Sequence, residues 1–420
     1  MLWVTTLYCS PALRTGKGRG REGSGLYPEL AVLGIQEGKS PALVREVGRL
    51  TALLPSYEMS REELAERGLT LNIKEVHGIG RYAGQAALTY RCRELQEYRA
   101  GKLPTADGRG KRFGVMIDGG RTKIRRMTRR QKGQGRSKTQ KRRYRTDWRE
   151  PKLIIVFEMD ERGRMKKGTK PIIDGSLTGP DEILEVLALR LHQVGAAQAE
   201  VVAFRSDGAP WIWDRLEWVI RRVGLKAKQV SLGLDWCHAA HHISLALESL
   251  VAEAERKRVF KKLRKWLKAG SWRQVVAELM SLAVAADLPS TAPVWTEIAY
   301  LDRHGSEGHL DYATYRRRGL PSGSGAIESA IRRVINLRMK GNSIFWEEEN
   351  AEAMLALRGL VLSRRWKTTF AKITESMARD RRLEWDWKAP DMVAELKAQV
   401  PITPPQLQDP RPPASYSSAA

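Results

Sequence analysis

A chain of 420 residues with 73 Lys and Arg against 48 Asp and Glu carries a formal charge of +25 and has a pI near 10.1. Such a surplus calls for a polyanionic partner, nucleic acid or an anionic membrane; no run approaches the roughly 18 apolar residues that span a bilayer, and Met1 to Tyr8 is too short for a secretory signal. Cys9, Cys92 and Cys237 are too few and too scattered for a disulfide framework or a CxxC zinc pair, so a reduced, cytoplasmic protein with no membrane partner is expected.

Residues 1–25 lack a period and include Gly16-Lys17-Gly18-Arg19-Gly20-Arg21, which reads as a flexible arm or the remnant of a domain beginning upstream. From Leu26 to about residue 105 the pattern is helical. Ser40-Pro41 opens a helix with an apolar stripe of Leu43, Val47, Leu50 and Leu53/Leu54. Ser60-Arg61-Glu62-Glu63 reads as a capping box on a short helix that ends at Gly68, and a longer helix is predicted from about Gly78 to Arg99. Short helix, turn and longer helix allow a DNA-binding helix-turn-helix, with an ordinary helical bundle as the alternative.

Phe113-Gly114-Val115-Met116-Ile117-Asp118-Gly119-Gly120 reads as a buried strand that ends in a sharp turn and exposes Asp118 at its tip. The basic segment 121–149 comes next, with 14 Lys and Arg among 29 residues and Asp147 as the lone acid. It has almost nothing apolar to bury and reads as an arm that grips phosphates, through Arg121, Lys123, Arg125, Arg126, Arg129, Arg130, Arg142 and Arg143. Beyond it lie a strand at Lys152–Phe157, a hairpin turn at Asp160–Arg164 and a weaker strand near Pro171–Ile173. A helix then runs from Gly179-Pro180-Asp181 to Gln193. Glu200–Asp207 is a second strand delivering an acid; a helix to about Val223 and a strand Gln229–Leu234 ending at Asp235 complete an α/β or α+β layer arrangement. Residues 238–286 are purely helical. Gly323-Ser324-Gly325 then leads into a helix from about Ala326 to Met339 that carries Glu328 in its first turn, and another is expected over Trp346–Ser363, acidic at its start. Six prolines in the fourteen residues from Pro401 mark a disordered tail within 396–420.

Asp118, Asp207 and Glu328 thus stand at two strand tips and a helix entry. Carboxylates converging from separate elements can hold two Mg2+ ions, or Mn2+ in their place, roughly 3.5–4 Å apart for phosphodiester cleavage; strand-end aspartates are also common as turn residues. Arg332 and Asn336 fall on the face of Glu328, with Arg333 and Arg338 alongside, where they can hold phosphates or simply be solvated. Cys237, His238, His241 and His242 could be read as zinc ligands on one helix face, but with one Cys and no CxxC, packing is preferred. Trp266, Trp211 and Trp213 read as core side chains, with base stacking the alternative for Trp266.

Ile117-Asp118-Gly119-Gly120-Arg121, Asp207-Gly208-Ala209-Pro210-Trp211-Ile212-Trp213, Asp235-Trp236-Cys237-His238 and Gly323-Ser324-Gly325-Ala326-Ile327-Glu328-Ser329, in this order, resemble the transposases of the ISKra insertion-sequence family. The likeness runs from about Gly18 to Trp366. It implies a ribonuclease-H-like mixed sheet over 111–235 and 316–345, split by an α-helical insertion at 236–315 and followed by a C-terminal helical segment at 346–395. It further implies a DDE triad of Asp118, Asp207 and Glu328 binding Mg2+, and cleavage and transfer of double-stranded DNA at transposon ends by a dimer or larger assembly in the bacterial nucleoid. Asp235 and His238 match the C/D-x-x-H signature of several such families and would help position DNA. A catalytically silent copy that only binds DNA, and a nuclease that cuts without joining, are the alternative readings.

Overall fold

The computed structural model describes residues 35, 39–127, 144–342 and 344–384; the predicted arm 1–25, Arg129, Arg130, Arg142 and Arg143 of the basic segment, and the Pro-rich tail 396–420 lie outside them. Two compact units divide the chain, Met1–Ala87 with Trp366–Ala420 and Leu88–Arg365.

In the first unit, α1 (Pro41–Leu53) opens as predicted, with the Leu43 N–H donating to Ser40 Oγ at 3.3 Å and Pro41 at the first position. Its buried face is Val44, Val47, Leu50, Thr51 and Ala52, which turns the stripe away from Leu53, 41% exposed. The capping-box prediction is corrected. α2 (Tyr57–Glu66) is capped by Ser56, whose Oγ accepts from the Met59 N–H at 3.0 Å, whereas Ser60 is interior and donates back to the Ser56 carbonyl at 2.8 Å. Gly68, at φ +77°, ends it as expected, with paired bonds from Leu69 to Leu64 and from Gly68 to Ala65. α3 (Ile73–Arg99), whose residues from Leu88 onward belong to the second unit, starts five residues before Gly78. Asn72 Oδ1 accepts from the N–H groups of Lys74 and Glu75, and Glu75 reaches back to the Asn72 N–H at 2.7 Å, a capping box on Asn rather than Ser. Gly80 is interior because Thr51 leaves no room for a Cβ there. The helix Trp366–Glu384 is fastened to α1 by Trp366, which donates to the Arg45 carbonyl at 2.9 Å.

The second unit is built on five strands, β1 (Arg112–Gly119), β4 (Lys152–Glu158), β5 (Ile172–Ser176), β6 (Val201–Ser206) and β7 (Val230–Leu234), in the order β5-β4-β1-β6-β7. β4 is antiparallel to both its neighbours, and β1, β6 and β7 run parallel. The unit is therefore mixed α/β, as the strand and helix alternation implies. β2 (Thr122–Met127) and β3 (Tyr144–Arg149) form a separate antiparallel ladder, so the two ends of the basic segment are strands and not a loose arm.

β1, β4 and β6 are buried almost throughout, as strands covered on both faces must be. α4 (Pro180–Gln193) and α5 (Pro210–Val223) pack on one face, where Phe113, Val115, Ile117, Val202 and Phe204 meet Ile183, Leu187, Ile212 and Leu216. The helical insertion follows β7: α6 (Trp236–Leu250), α7 (Glu253–Lys268), α8 (Trp272–Ala285) and α9 (Val294–Ser306), then the short α10 (Tyr312–Arg317). The chain returns as α11 (Gly325–Ile331), which packs on β1 and β4, and α12 (Glu348–Leu362), which lies against β5 so closely that a Cβ on Gly359 would crowd the Ile173 carbonyl. α12 begins at Glu348, not Trp346, because Trp346 pairs its backbone with the β2 strand at Lys123 and Arg125.

Candidate active site

The parallel register brings the acids together. Ile117 pairs with Ser206 and Ser206 with Leu234, so the next residue of each strand, Asp118, Asp207 and Asp235, stands abreast of the others at the carboxyl ends of β1, β6 and β7. Two hydrogen bonds fasten this edge: Ser206 Oγ donates to the Ile117 carbonyl, and the Asp235 N–H to the Ser206 carbonyl, both at 2.8 Å. Asp118 is half-buried, not fully exposed. Its carboxyl is pushed up to about 6 by burial, then by the charges of Asp207 and Glu328, while Gly119 N–H and His238 oppose the rise. That mutual influence places Glu328 and His238 within electrostatic reach of the strand-end pair.

Asp207 is set by its motif. Its Oδ1 accepts from the Ala209 N–H at 3.2 Å, and its carbonyl accepts from Trp213 Nε1 at 2.6 Å. Gly208 has no alternative at its position, because a Cβ there would overlap the Tyr300 ring. Tyr300, from α9, stacks on His242 with ring centres 3.6 Å apart, so the insertion touches the Asp207 turn directly. Trp213 and Tyr300 belong to this site; Trp213 lay inside a recognised motif, but nothing local in the sequence marks Tyr300.

Asp235 is fully buried and acts as a bracket. One oxygen accepts from the His238 N–H and from His238 Nδ1, each at 2.9 Å, and the other accepts from the Ser324 N–H at 2.5 Å. Burial opposes its ionisation, but the bonds from His238 and Ser324 outweigh it and hold the carboxyl below the usual range. His238 is raised in turn, first by that hydrogen bond and then by Asp207 and Asp118. A single carboxylate therefore caps α6, orients the imidazole, and pins the loop whose helix carries Glu328. Ser324 Oγ lies 3.5 Å from Glu328 Oε1.

The helix predicted over Ala326–Met339 is interrupted. After α11 the backbone passes into a π-turn, Arg332–Asn336, with the Leu337 N–H bonding back to the Arg332 carbonyl. Arg332 keeps its place one turn beyond Glu328 and is exposed. Asn336, at the end of that turn, is exposed, as are Glu328 and Arg332. Arg333 is half-exposed, with Nε on the Ser329 carbonyl at 3.2 Å. Arg338 is buried against Trp346 at 5.0 Å, not beside the acids. The carbonyls of Arg333 and Val334 accept from buried Arg358 of α12, that of Val334 at 2.6 Å.

Of the predicted phosphate-gripping residues, Arg121 is exposed and Arg126 faces Glu348 at 3.5 Å. Lys123 and Arg125 are half-buried; Arg125 lies 3.9 Å over the Tyr144 ring and Lys123 5.1 Å over Trp148. Trp211 carries Lys152 over its ring and Trp266 carries Lys262.

Of the residues in the zinc reading at 237–242, His238 is engaged by Asp235 and His242 by Glu297 at 2.5 Å, while Cys237 and His241 are exposed. Among the described residues, the group whose ligand atoms could meet one ion is His304, Glu307 and His309. Arg303 donates to His304 Nε2 at 3.2 Å, His304 Nδ1 lies 3.1 Å from His309 Nδ1, and Glu307 Oε2 lies 3.2 Å from His309 Nδ1. His309 stacks on Trp213 at 4.1 Å, and its carbonyl accepts from the Leu234 N–H. The cluster thus braces the ends of β6 and β7 from behind. Asp118, Asp207 and Glu328 do not form such a tight group, and two ions roughly 3.5–4 Å apart call for a wider spread of oxygens.

Comparison with protein-family models, curated proteins and solved structures finds no match. No described helix is long and apolar enough to cross a membrane.

Proposed function

We propose that the chain is a DDE-type transposase that cleaves and transfers DNA strands at the ends of an insertion sequence. The observation that carries this reading is the row of Asp118, Asp207 and Asp235 at the carboxyl ends of adjacent parallel strands, with Glu328 brought to it by the Asp235–Ser324 bracket. The sheet order, with β4 as the one reversed strand, supports a ribonuclease-H-like core. Net charge and the four motifs favour DNA over other polyanions.

The donor set fits Mg2+ or Mn2+. Asp118, Asp207 and Glu328 offer hard oxygens, and the carboxyl of Asp118 is raised by burial and by its acidic neighbours, which is the condition that a divalent cation relieves. When bound there, the ions would activate the attacking oxygen and stabilise the leaving one. In this reading Asp118, Asp207 and Glu328 hold the cations, Asp235 orients His238 and favours its protonated form, and Trp213 fixes the Asp207 backbone. Arg332 and Arg121, both exposed, supply charge for the phosphates of double-stranded DNA. Joining two transposon ends calls for at least a dimer, and the activity belongs in the bacterial cytoplasm with the nucleoid.

The test is magnesium-dependent cleavage of a labelled duplex bearing the flanking terminal repeat. Asp118→Ala, Asp207→Ala and Glu328→Ala should each abolish cleavage while leaving DNA binding intact. Binding by the wild type with no cleavage would leave only the DNA-binding reading, and cleavage without joining to a target strand would leave a nuclease.

A further inference from the structure

Beside the Asp235 bracket lies a groove of about 1260 Å3 to which the transposase reading gives no role. One wall is α7. Lys257, Lys261, Lys265 and Lys268 recur along it every three or four residues, which puts them on one face, while Leu263 and Leu267 are buried on the other. The opposite wall is Arg316 and Arg317 of α10 together with the 160–164 turn, which is pressed against Leu320 and Pro321 so tightly that Gly163 has no room for a Cβ. Nine basic side chains and one acid, Glu161, line the groove. Among the described residues none of the nine forms an ion pair, although elsewhere on the same helix Arg258 and Lys262 are paired with Glu255 and Glu278. Cations gathered in a concave site repel one another, and a polyanion relieves that repulsion.

The floor is aromatic. Trp236 and Phe260 are both half-exposed, and the Arg264 guanidinium lies between them, 5.6 Å from one ring and 5.4 Å from the other. In a duplex the bases hide their faces against each other, so aromatic rings and a guanidinium plane between phosphate-binding walls favour an unpaired strand. Position supplies the direction. Trp236 follows Asp235 in the chain, and its N–H donates to the carbonyl of Ser322, in the loop that leads to Glu328.

We infer that this groove binds a single DNA strand, with its phosphates on the α7 lysines and Arg316/Arg317 and a base against Phe260 and Trp236, and feeds that strand to the carboxylates. That the strand is DNA and runs on to the acids rests on the proposed transposase function; binding in the groove rests on its own chemistry.

The experiment measures anisotropy of a short labelled single strand, the matching duplex and the matching RNA strand on the full chain, in chelator so that no cleavage intervenes. Lys261→Glu/Lys265→Glu changes two exposed positions and keeps the fold. It should weaken single-strand binding at least about tenfold and lower the slope of log K on log salt by about 0.7 for each phosphate no longer neutralised. Phe260→Ala should weaken it roughly five- to hundredfold, as loss of a stacked base does, and leave duplex binding unchanged. Single-strand affinity that survives the charge reversal, or that is indifferent to Phe260→Ala, overturns the assignment, and a clear preference for RNA overturns its assignment to DNA. Because Asp118→Ala is expected to bind like wild type in this assay, a failed cleavage test leaves the groove result standing, and a failed groove result leaves the triad untouched.

Discussion

Gly208 shows how one missing side chain can hold two parts of this unit together. The Tyr300 ring sits against its backbone, itself clamped by His242, and the Asp207 carbonyl is held by Trp213 from the other side. A methyl group here has no space, and overpacking of this kind costs about 1–3 kcal/mol. Gly208→Ala should therefore lower the denaturation midpoint and the cleavage rate together, and Gly208→Ala/Tyr300→Ala should recover part of the rate by vacating the ring. If the double variant is no more active than the single one, steric displacement of the Asp207 turn is the wrong explanation. Sequence alone offered Gly208 only as part of the motif that follows Asp207. The reason for this glycine is a residue 92 positions away in the numbering.

At the scale of the element, the telling case is the helix of Glu328. Its local pattern reads as one continuous helix, and the first turn is so. The π-turn at 332–336 leaves the carbonyls of Arg333 and Val334 to be answered by Arg358, which is 2% exposed, with a guanidinium lowered to about 9 by burial and then by Arg338. Arg358→Met keeps the length and the packing but strands those acceptors, each worth about 1–3 kcal/mol when buried and unanswered. We expect a loss of that order in urea unfolding and a larger fall in cleavage than in duplex binding, since the turn sets where Arg332 stands. Unchanged stability would mean that the turn closes without Arg358. Strands and their ends were legible because alternation, runs of apolar residues and Asp-Gly turns act over a few neighbours: β6, β7, α4 and α5 fall within a residue or so of expectation. The cap residues at Ser56 and Asn72 were missed because other Ser and Gly nearby offered equally good local signals.

For the molecule as a whole, charge is handled in two ways. Excess cations are left facing outward in the groove, while inside the second unit buried arginines are paired with acids or bonded to carbonyl oxygens and buried histidines are neutral. Arg91 and Arg190 close on buried Asp174 at 2.8 Å each, tying α3, α4 and β5 together. His304 and His309 are held neutral, at about 3 and about 4, chiefly by burial and then by neighbouring cationic groups, among them Arg303 and Arg205. In the unfolded chain both titrate near 6.5. Between that pH and about 4 the unfolded state binds the extra protons, so stability is complete above 6.5 and falls as pH drops. His238 and Asp118, whose values are raised, contribute with the opposite sign, but Asp118 does so only below about 6, whereas the two histidines act from 6.5 downward. Chemical unfolding at neutral pH and near pH 5 should therefore show a lower midpoint at the acid end, with a smaller difference in His309→Gln; a midpoint that does not move would contradict neutral burial. The sequence by itself determined the strands, the acids at their tips, the helical insertion and the basic character, because each is written in short-range periodicity, turn chemistry or simple counts. Only the tertiary structure decided that Asp235 brackets His238 and Ser324, that Tyr300 and Trp213 frame Asp207, and that a groove forms from residues near 162, 261 and 316. Those are contacts between segments distant in the chain, set by sheet register and packing, on which no local pattern carries information.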